Sequence, residues 1–362
     1  MRLQLQNIIQ LLLCIALLST AVGFAFETDQ YNLPPEPLAD IGDEVSDYAE
    51  ENLRKAVVKI NEEISRRRAC LEKTIVKPAG TKCDSAEKDR DQLAYLRSEA
   101  AVARTVFNLL GSGFPPFTRS GSWMDSHEFK NQPARYKTGY RKSIFFVKPS
   151  NYLTISPTVK IYGAHFGTDK IAHIFQQGYS YYKIYHRALE RGLTADEASR
   201  KAVRWGRMTE NTYYGTLISG VFSNGDLAAN YAGMKFYLGL TREIKINGGA
   251  RPAVLTLKNG VWMFNENVDL RQILIKPFLS DHLNEAFNPS IFTKLFGLRS
   301  FVRQTVRKRS CEQWRRQYPD LLQSKLDENS RALRLWYGED YGFKSSENFV
   351  TIANVCFERK AE

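Results

Sequence analysis

Two short stretches of this 362-residue chain carry polar side chains one helical turn apart. Asp169 and His173 stand four apart in GTDKIAHIFQQG, and Asp226 and Asn230 stand four apart in FSNGDLAANYAG. Residues at i and i+4 share one face of a helix. The intervening GRMTENTYYG offers Glu210. If three successive helices aim these groups inward, a carboxylate beside His173 can hold one imidazole tautomer and raise its basicity. A second carboxylate can act as general acid or base, or bind a metal whose identity the residues leave open. Asp169 and Asp226 fall in first helical turns, where the dipole favours their charged forms. Such helix starts can also hold an anionic group such as phosphate. Asp169, His173, Glu210 and Asp226 are thus the candidate catalytic set, with Ser223 and Asn230 as binding residues and no cofactor specified. The structural alternative uses the same atoms: aspartates serving helix starts, an asparagine bridging helices and a satisfied core histidine.

The elements that must position these groups read as a mainly α fold. A segment 26–42 containing NLPPEPLADIG is extended. A helical hairpin spans 43–111, capped at Asp43. Its first helix carries an apolar stripe through Val45, Ala49, Leu53, Ala56, Ile60 and Ile64. Asp84 with Glu87 starts the second helix, and Gly111 ends it. Region 112–167 reads as loop and short strands, KSIFFVK and YLTISPTVKIYG, with Pro157 placing the latter at an edge or bulge. A helical core occupies 168–240, where Thr168, the capping box TADE at Thr194 and Glu197, and Ser223 or Asn224 begin successive helices. Region 241–362 combines a hairpin turned at Asn259-Gly260 with helices. The two small β elements are the only sheet expected, and 26–362 reads as one domain.

The order DKxxH, then a Glu, then S-x-x-D-L-x-A-N-x-x-G resembles the VanZ-like superfamily and related small envelope proteins. The matching residues are Asp169, Lys170 and His173, then Glu210, then Ser223, Asp226, Leu227, Asn230 and Gly233. The resemblance covers about 65 residues, 168–233. It implies a bacterial envelope setting and supplies no settled reaction. VanZ-like proteins are built from membrane-spanning helices, whereas these helices carry many polar residues.

Compartment follows from the termini and the cysteines. Residues 1–25 read as a signal peptide with an apolar stretch from Ile8 to Val22 and small residues at Ala21, Gly23 and Ala25. The alternative is a retained N-terminal anchor. Four cysteines follow it, and local pairing gives Cys70–Cys83 and Cys311–Cys356. An exported protein, periplasmic or extracellular, is expected. The net charge of +12 is unevenly placed. Glu27 to Glu51 carries nine acids and no base, Lys130 to Lys160 seven bases and no acid, and Lys294 to Arg316 eight bases against Glu312. In an exported protein this points to anionic lipid or acidic wall polymer, with peripheral membrane contact, or to the protein's own acidic N-terminal segment, rather than to nucleic acid; the plain alternative is a solvated basic face. Arg135, Tyr136, Lys137, Arg141 and Lys142 are the candidate contacts. His165 is a weaker candidate to join His173 in a metal site. Tyr179, Tyr181, Tyr182 and Tyr185 read as a core stripe or a glycan or lipid groove. Three functions remain open: an envelope-binding helical core, a hydrolase of a lipid-linked or phosphorylated substrate, and a non-catalytic structural or interaction module.

Overall fold

A computed structural model describes residues 27–72, 83–114, 117–212 and 215–357. The expected signal peptide and most of the loop before Cys83 lie outside them. The fold is mainly α, with only two- and three-stranded sheets among the described residues. No described helix is long and apolar enough to cross a membrane.

The N-terminal hairpin forms as its apolar spacing dictates. Helix α1 (Gly42–Leu71) buries Val45, Ala49, Leu53, Ala56, Ile60 and Ile64 on one stripe. Its first amide is held by Asp40, whose Oδ1 accepts from Gly42 N at 3.0 Å, so the cap lies before Asp43. The returning helix is broken into α2 (Ala86–Leu96) and α3 (Glu99–Leu110). Ser98 causes the break, because its extended backbone lets its Oγ accept from Ala101 N and start a new helix. Ser85, rather than Asp84, caps α2. Cys70 and Cys83 are joined across the hairpin.

Between the hairpin and the core, KSIFFVK is not a strand but a series of turns leading into α4 (Pro149–Leu153). Ile144 and Phe145 are buried while Phe146 and Val147 are exposed. That paired pattern does not fit a pleated strand, whose side chains alternate. Strand β1 (Thr158–Ile161) pairs antiparallel with β2 (Ala164–Gly167), and Pro157 lies just outside the ladder.

The central core follows. α5 (Asp169–Ala172) runs through a wide π-turn at His173–Gln177 into α6 (Gly178–Glu190). Helix α7 (Ala195–Asn211) opens with the Thr194/Glu197 capping box. β3 (Val221–Ser223) leads into α8 (Asn224–Gly239), which is buried along nearly its whole length. Tyr179, Tyr181, Tyr182 and Tyr185 are buried in this core. A hairpin of β4 (Leu255–Lys258) and β5 (Val261–Phe264) turns at Asn259 and Gly260, whose φ angles of 52° and 71° suit a two-residue turn. β6 (Ser290–Phe292) sits between β3 and β7 (Phe349–Val350), both antiparallel to it. Helix α9 (Leu298–Thr305) and α10 (Cys311–Gln317) cover a second apolar cluster, closed by Cys311–Cys356.

Helices α6 and α8 cross at two glycines. A Cβ on Gly233 would meet the carbonyl oxygen of Ile174 and lie 2.7 Å from Gly178 Cα. These are backbone atoms, so a side chain can be admitted only by parting the helices. Gly233→Val should destabilise the fold by about 2 kcal/mol through overpacking. Urea unfolding measures it; an unchanged midpoint would show that the helices do not depend on this approach.

Candidate functional site

The site lies where α5, α7 and α8 meet, and the crossing at Gly178 and Gly233 brings the π-turn against α8. Gly167 ends β2 where a Cβ would collide with Thr28 Oγ1 and Asp169 Oδ1. Thr28 Oγ1 donates to Asp169 Oδ1 at 2.8 Å, so the extended N-terminal segment reaches the centre of the protein. On the other side Ser223 Oγ accepts from Asp226 N at 3.1 Å, capping α8. Thr168, by contrast, makes no side-chain cap.

The centre is occupied by Lys170, which is fully buried. Its ammonium lies 2.6 Å from Asp169 Oδ2, 2.6 Å from Asp226 Oδ1 and 2.7 Å from Glu285 Oε1. The contacts to Asp169 and Glu285 are hydrogen bonds. The approach to Asp226 Oδ1 is an ion pair outside hydrogen-bond geometry. Ser223 Oγ donates to Glu285 Oε1 at 2.9 Å, and Glu210 Oε1 accepts from Ser223 N at 2.9 Å. Glu27 is buried nearby, with its carboxyl within the field of Glu285 and Asp226.

Five carboxyls therefore surround one ammonium, and burial sorts their protons. Burial, then repulsion from Asp226, raises the Glu210 carboxyl well above its ordinary value. Burial and repulsion from Glu285 and Asp226 do the same to Glu27. Glu285 is pushed up to about 7 by burial, although Lys170 opposes the shift. Burial would also raise Asp226, but the charges of His173 and Lys170 outweigh it and hold that carboxyl below its ordinary value. Lys170 pays desolvation, yet its three acids raise it well above 10.5. The cluster thus separates neutral acids from charged ones, as acid–base sites do.

His173 is the member that reaches solvent, its side chain 18% exposed against 3% for Asp226. Its Nδ1 stands 2.9 Å from Asn230 Oδ1, and its Nε2 stands 3.6 Å from Asp226 Oδ2. As oriented, the amide accepts from Nδ1–H, which leaves Nε2 facing a charged carboxylate. At 3.6 Å the two atoms are close but not hydrogen-bonded.

Asp169, His173 and Asp226 each offer one ligand atom within 4.8 Å of the others, close enough to share a metal ion. The Lys170 ammonium already bridges the two aspartates with a single positive charge, half of what a divalent ion would bring. A phosphate fits less well. The amides of Ser223 and Asp226 are taken by Glu210 and Ser223, and the surrounding charge is negative.

The structure brings Asp169, His173, Glu210, Ser223, Asp226 and Asn230 together. It adds Lys170, Glu285, Glu27 and Thr28, which spacing alone did not single out as site residues. Lys170 had a signal in its place beside Asp169; Glu285, 115 residues along the chain from it, had none. His165 stands elsewhere, in the wall of a cleft of about 660 Å³ with Trp314 and Tyr318. Arg135 is half-buried, its guanidinium donating to Met124 O at 2.6 Å and His127 O at 3.0 Å. Tyr136 pairs its backbone with Thr158, and Lys137 lies over the Tyr152 ring. Arg141 and Lys142 are exposed. No family model, no curated protein and no solved structure matches the chain.

Proposed function

We propose that this is an exported cell-envelope protein whose helical core binds an envelope component at His173. The observation that carries this reading is the buried Lys170 cluster with a single half-open member. Burying five carboxyls around one lysine is poor economy for stability, because desolvation consumes most of the Coulombic gain. Sites that break such rules are more often functional than structural. Two disulfides and the leader-like N-terminus support export. The negative surroundings favour a neutral or cationic group entering at His173, such as a sugar hydroxyl or an amine. A hydrolase is the second reading, supported by Asp226 behind Nε2 and Asn230 against Nδ1, an arrangement suited to proton transfer.

Two substitutions test it. His173→Ala removes a partly exposed ring and should leave the melting temperature nearly unchanged. Asp226→Asn removes a partner of Lys170 and should destabilise by roughly 1–3 kcal/mol, moderated because it also relieves repulsion on Glu210 and Glu285. Soluble cell-wall glycan fragments and phosphatidylethanolamine vesicles, titrated calorimetrically, supply the binding readout. One of these probes should bind the wild type and not His173→Ala. If His173→Ala melts as far below wild type as Asp226→Asn, the network is structural and the proposal fails.

A further inference from the structure

The three most exposed large apolar side chains among the described residues are Leu153 at 79%, Leu217 at 72% and Leu295 at 63%. They come from distant parts of the chain, yet their segments are stitched side by side. Lys148 Nζ donates to Ile218 O, and Asn151 Nδ2 donates to Ser219 O at 2.5 Å, tying α4 to the loop before β3. Thr293 N donates to Gly220 O at 2.8 Å, tying that loop to the segment entering α9. The Phe146 and Phe301 rings lie 6.2 Å apart, and Arg309 Nη1 donates to Arg141 O at 2.6 Å. Exposed Phe146 and Val147 extend the apolar patch.

Positive charge borders it. Arg141, Lys142, Lys294, Arg307, Lys308 and Arg309 are exposed, and segments 139–160, 215–222 and 289–311 contain no Asp or Glu. The acidic N-terminal stretch does not neutralise this face through Glu27 or Asp29, since both are buried in the interior.

We propose that this face docks on the surface of an anionic lipid bilayer, with Leu153, Leu217 and Leu295 entering the headgroup boundary and the bordering Arg and Lys side chains meeting lipid charges. Apolar tips ringed by basic groups match the two layers of such a surface, apolar inside and anionic outside. An acidic polymer in water would match only the basic half. The docking face is separate from His173, so it stands or falls independently of the binding reading above.

The test is cosedimentation with phosphatidylcholine vesicles containing about one-third phosphatidylglycerol, with pure phosphatidylcholine vesicles and soluble polyglutamate as comparisons. Wild type should bind the anionic vesicles, and binding should weaken with salt because exposed charges are screened beyond ~10 Å at 0.1 M. The triple variant Leu153→Ser, Leu217→Ser, Leu295→Ser keeps every charge and removes only exposed side chains; its affinity should fall at least ~10-fold. Arg307→Gln, Lys308→Gln, Arg309→Gln should fall most at low salt. His173→Ala should bind vesicles like wild type, which separates failure of the docking face from failure of the His173 site. Absence of vesicle binding, binding indifferent to the three leucines, or equal binding to polyglutamate would overturn the proposal. Melting curves confirm that the surface variants remain folded.

Discussion

Lys170→Met should be the most damaging single substitution in the protein, lowering stability at neutral pH by roughly 3–5 kcal/mol or more. The ammonium is fully buried and lies within 2.7 Å of Asp169, Asp226 and Glu285. Methionine has similar length, so the loss is one of charge rather than of volume. What remains is Asp169, Asp226 and Glu285 without the ammonium that balanced them, with little water to solvate them. Such an uncompensated buried charge is far more costly than the intact pair is favourable. Urea unfolding at pH 7 and at pH 5 measures the effect. The deficit should be smaller at pH 5, where the orphaned acids can take up protons. Wild-type stability in Lys170→Met at pH 7 would mean that the cluster is neutral without lysine, and the charge assignment above would be wrong.

Lowering the pH from 8 to 5 should stabilise the wild type, which is unusual for a folded protein. Glu285 is raised from 4.5 to about 7, and Asp29 from 3.8 to about 6, chiefly by burial. A carboxyl raised on folding holds its proton more tightly in the folded state. Its stabilising contribution is therefore complete below the unfolded value and is lost as pH rises through the folded value. For Glu285 that window runs from about 4.5 to about 7, and for Asp29 from about 3.8 to about 6. Glu285 alone accounts for roughly 3 kcal/mol at 1.36 kcal/mol per unit. Glu27 and Glu210 shift in the same direction. His165 and His282 oppose the trend, since burial lowers both and disfavours their protonated forms in the folded state. Asp226 is depressed, so its contribution is present above 3.8 and disappears as pH falls through its lower folded value. Stability should peak near pH 5 and decline on both sides. Calorimetric melting at constant ionic strength checks this, and Glu285→Gln should flatten the slope between pH 5 and 8. A melting temperature that climbs from pH 5 to 8 contradicts the assignment of buried protons.

Local order in the chain was legible wherever one element decides the outcome. The stripe on α1 is buried as its three-and-four spacing requires, because a helix has one periodicity and one apolar face. The Thr194/Glu197 box starts α7 and the Asn259-Gly260 turn closes its hairpin, since both are set by backbone groups within a few residues. Cys70–Cys83 and Cys311–Cys356 pair locally, as expected. The i,i+4 spacing put Asp169 and His173 on one side of α5 and the π-turn that continues it, and Asp226 and Asn230 on one face of α8, for the same reason.

Other features required the packed chain. KSIFFVK has strand-like composition, but strand propensity expresses fit to a half-buried pleated surface, and no strand among the described residues pairs with it to complete a ladder. Arg135 belongs to a basic run and yet turns inward to two carbonyls, a partner choice that no spacing encodes. The identity of the site's central residue was settled in the same way. Asp169 and Lys170 are adjacent, but an ammonium becomes the hub of a cluster only when Asp226 and Glu285 converge on it from 56 and 115 residues away. Helical periodicity determines which way a side chain points. Only tertiary packing determines what it meets there, how much water is excluded and which acids keep their protons, because those depend on distances between segments the chain does not join.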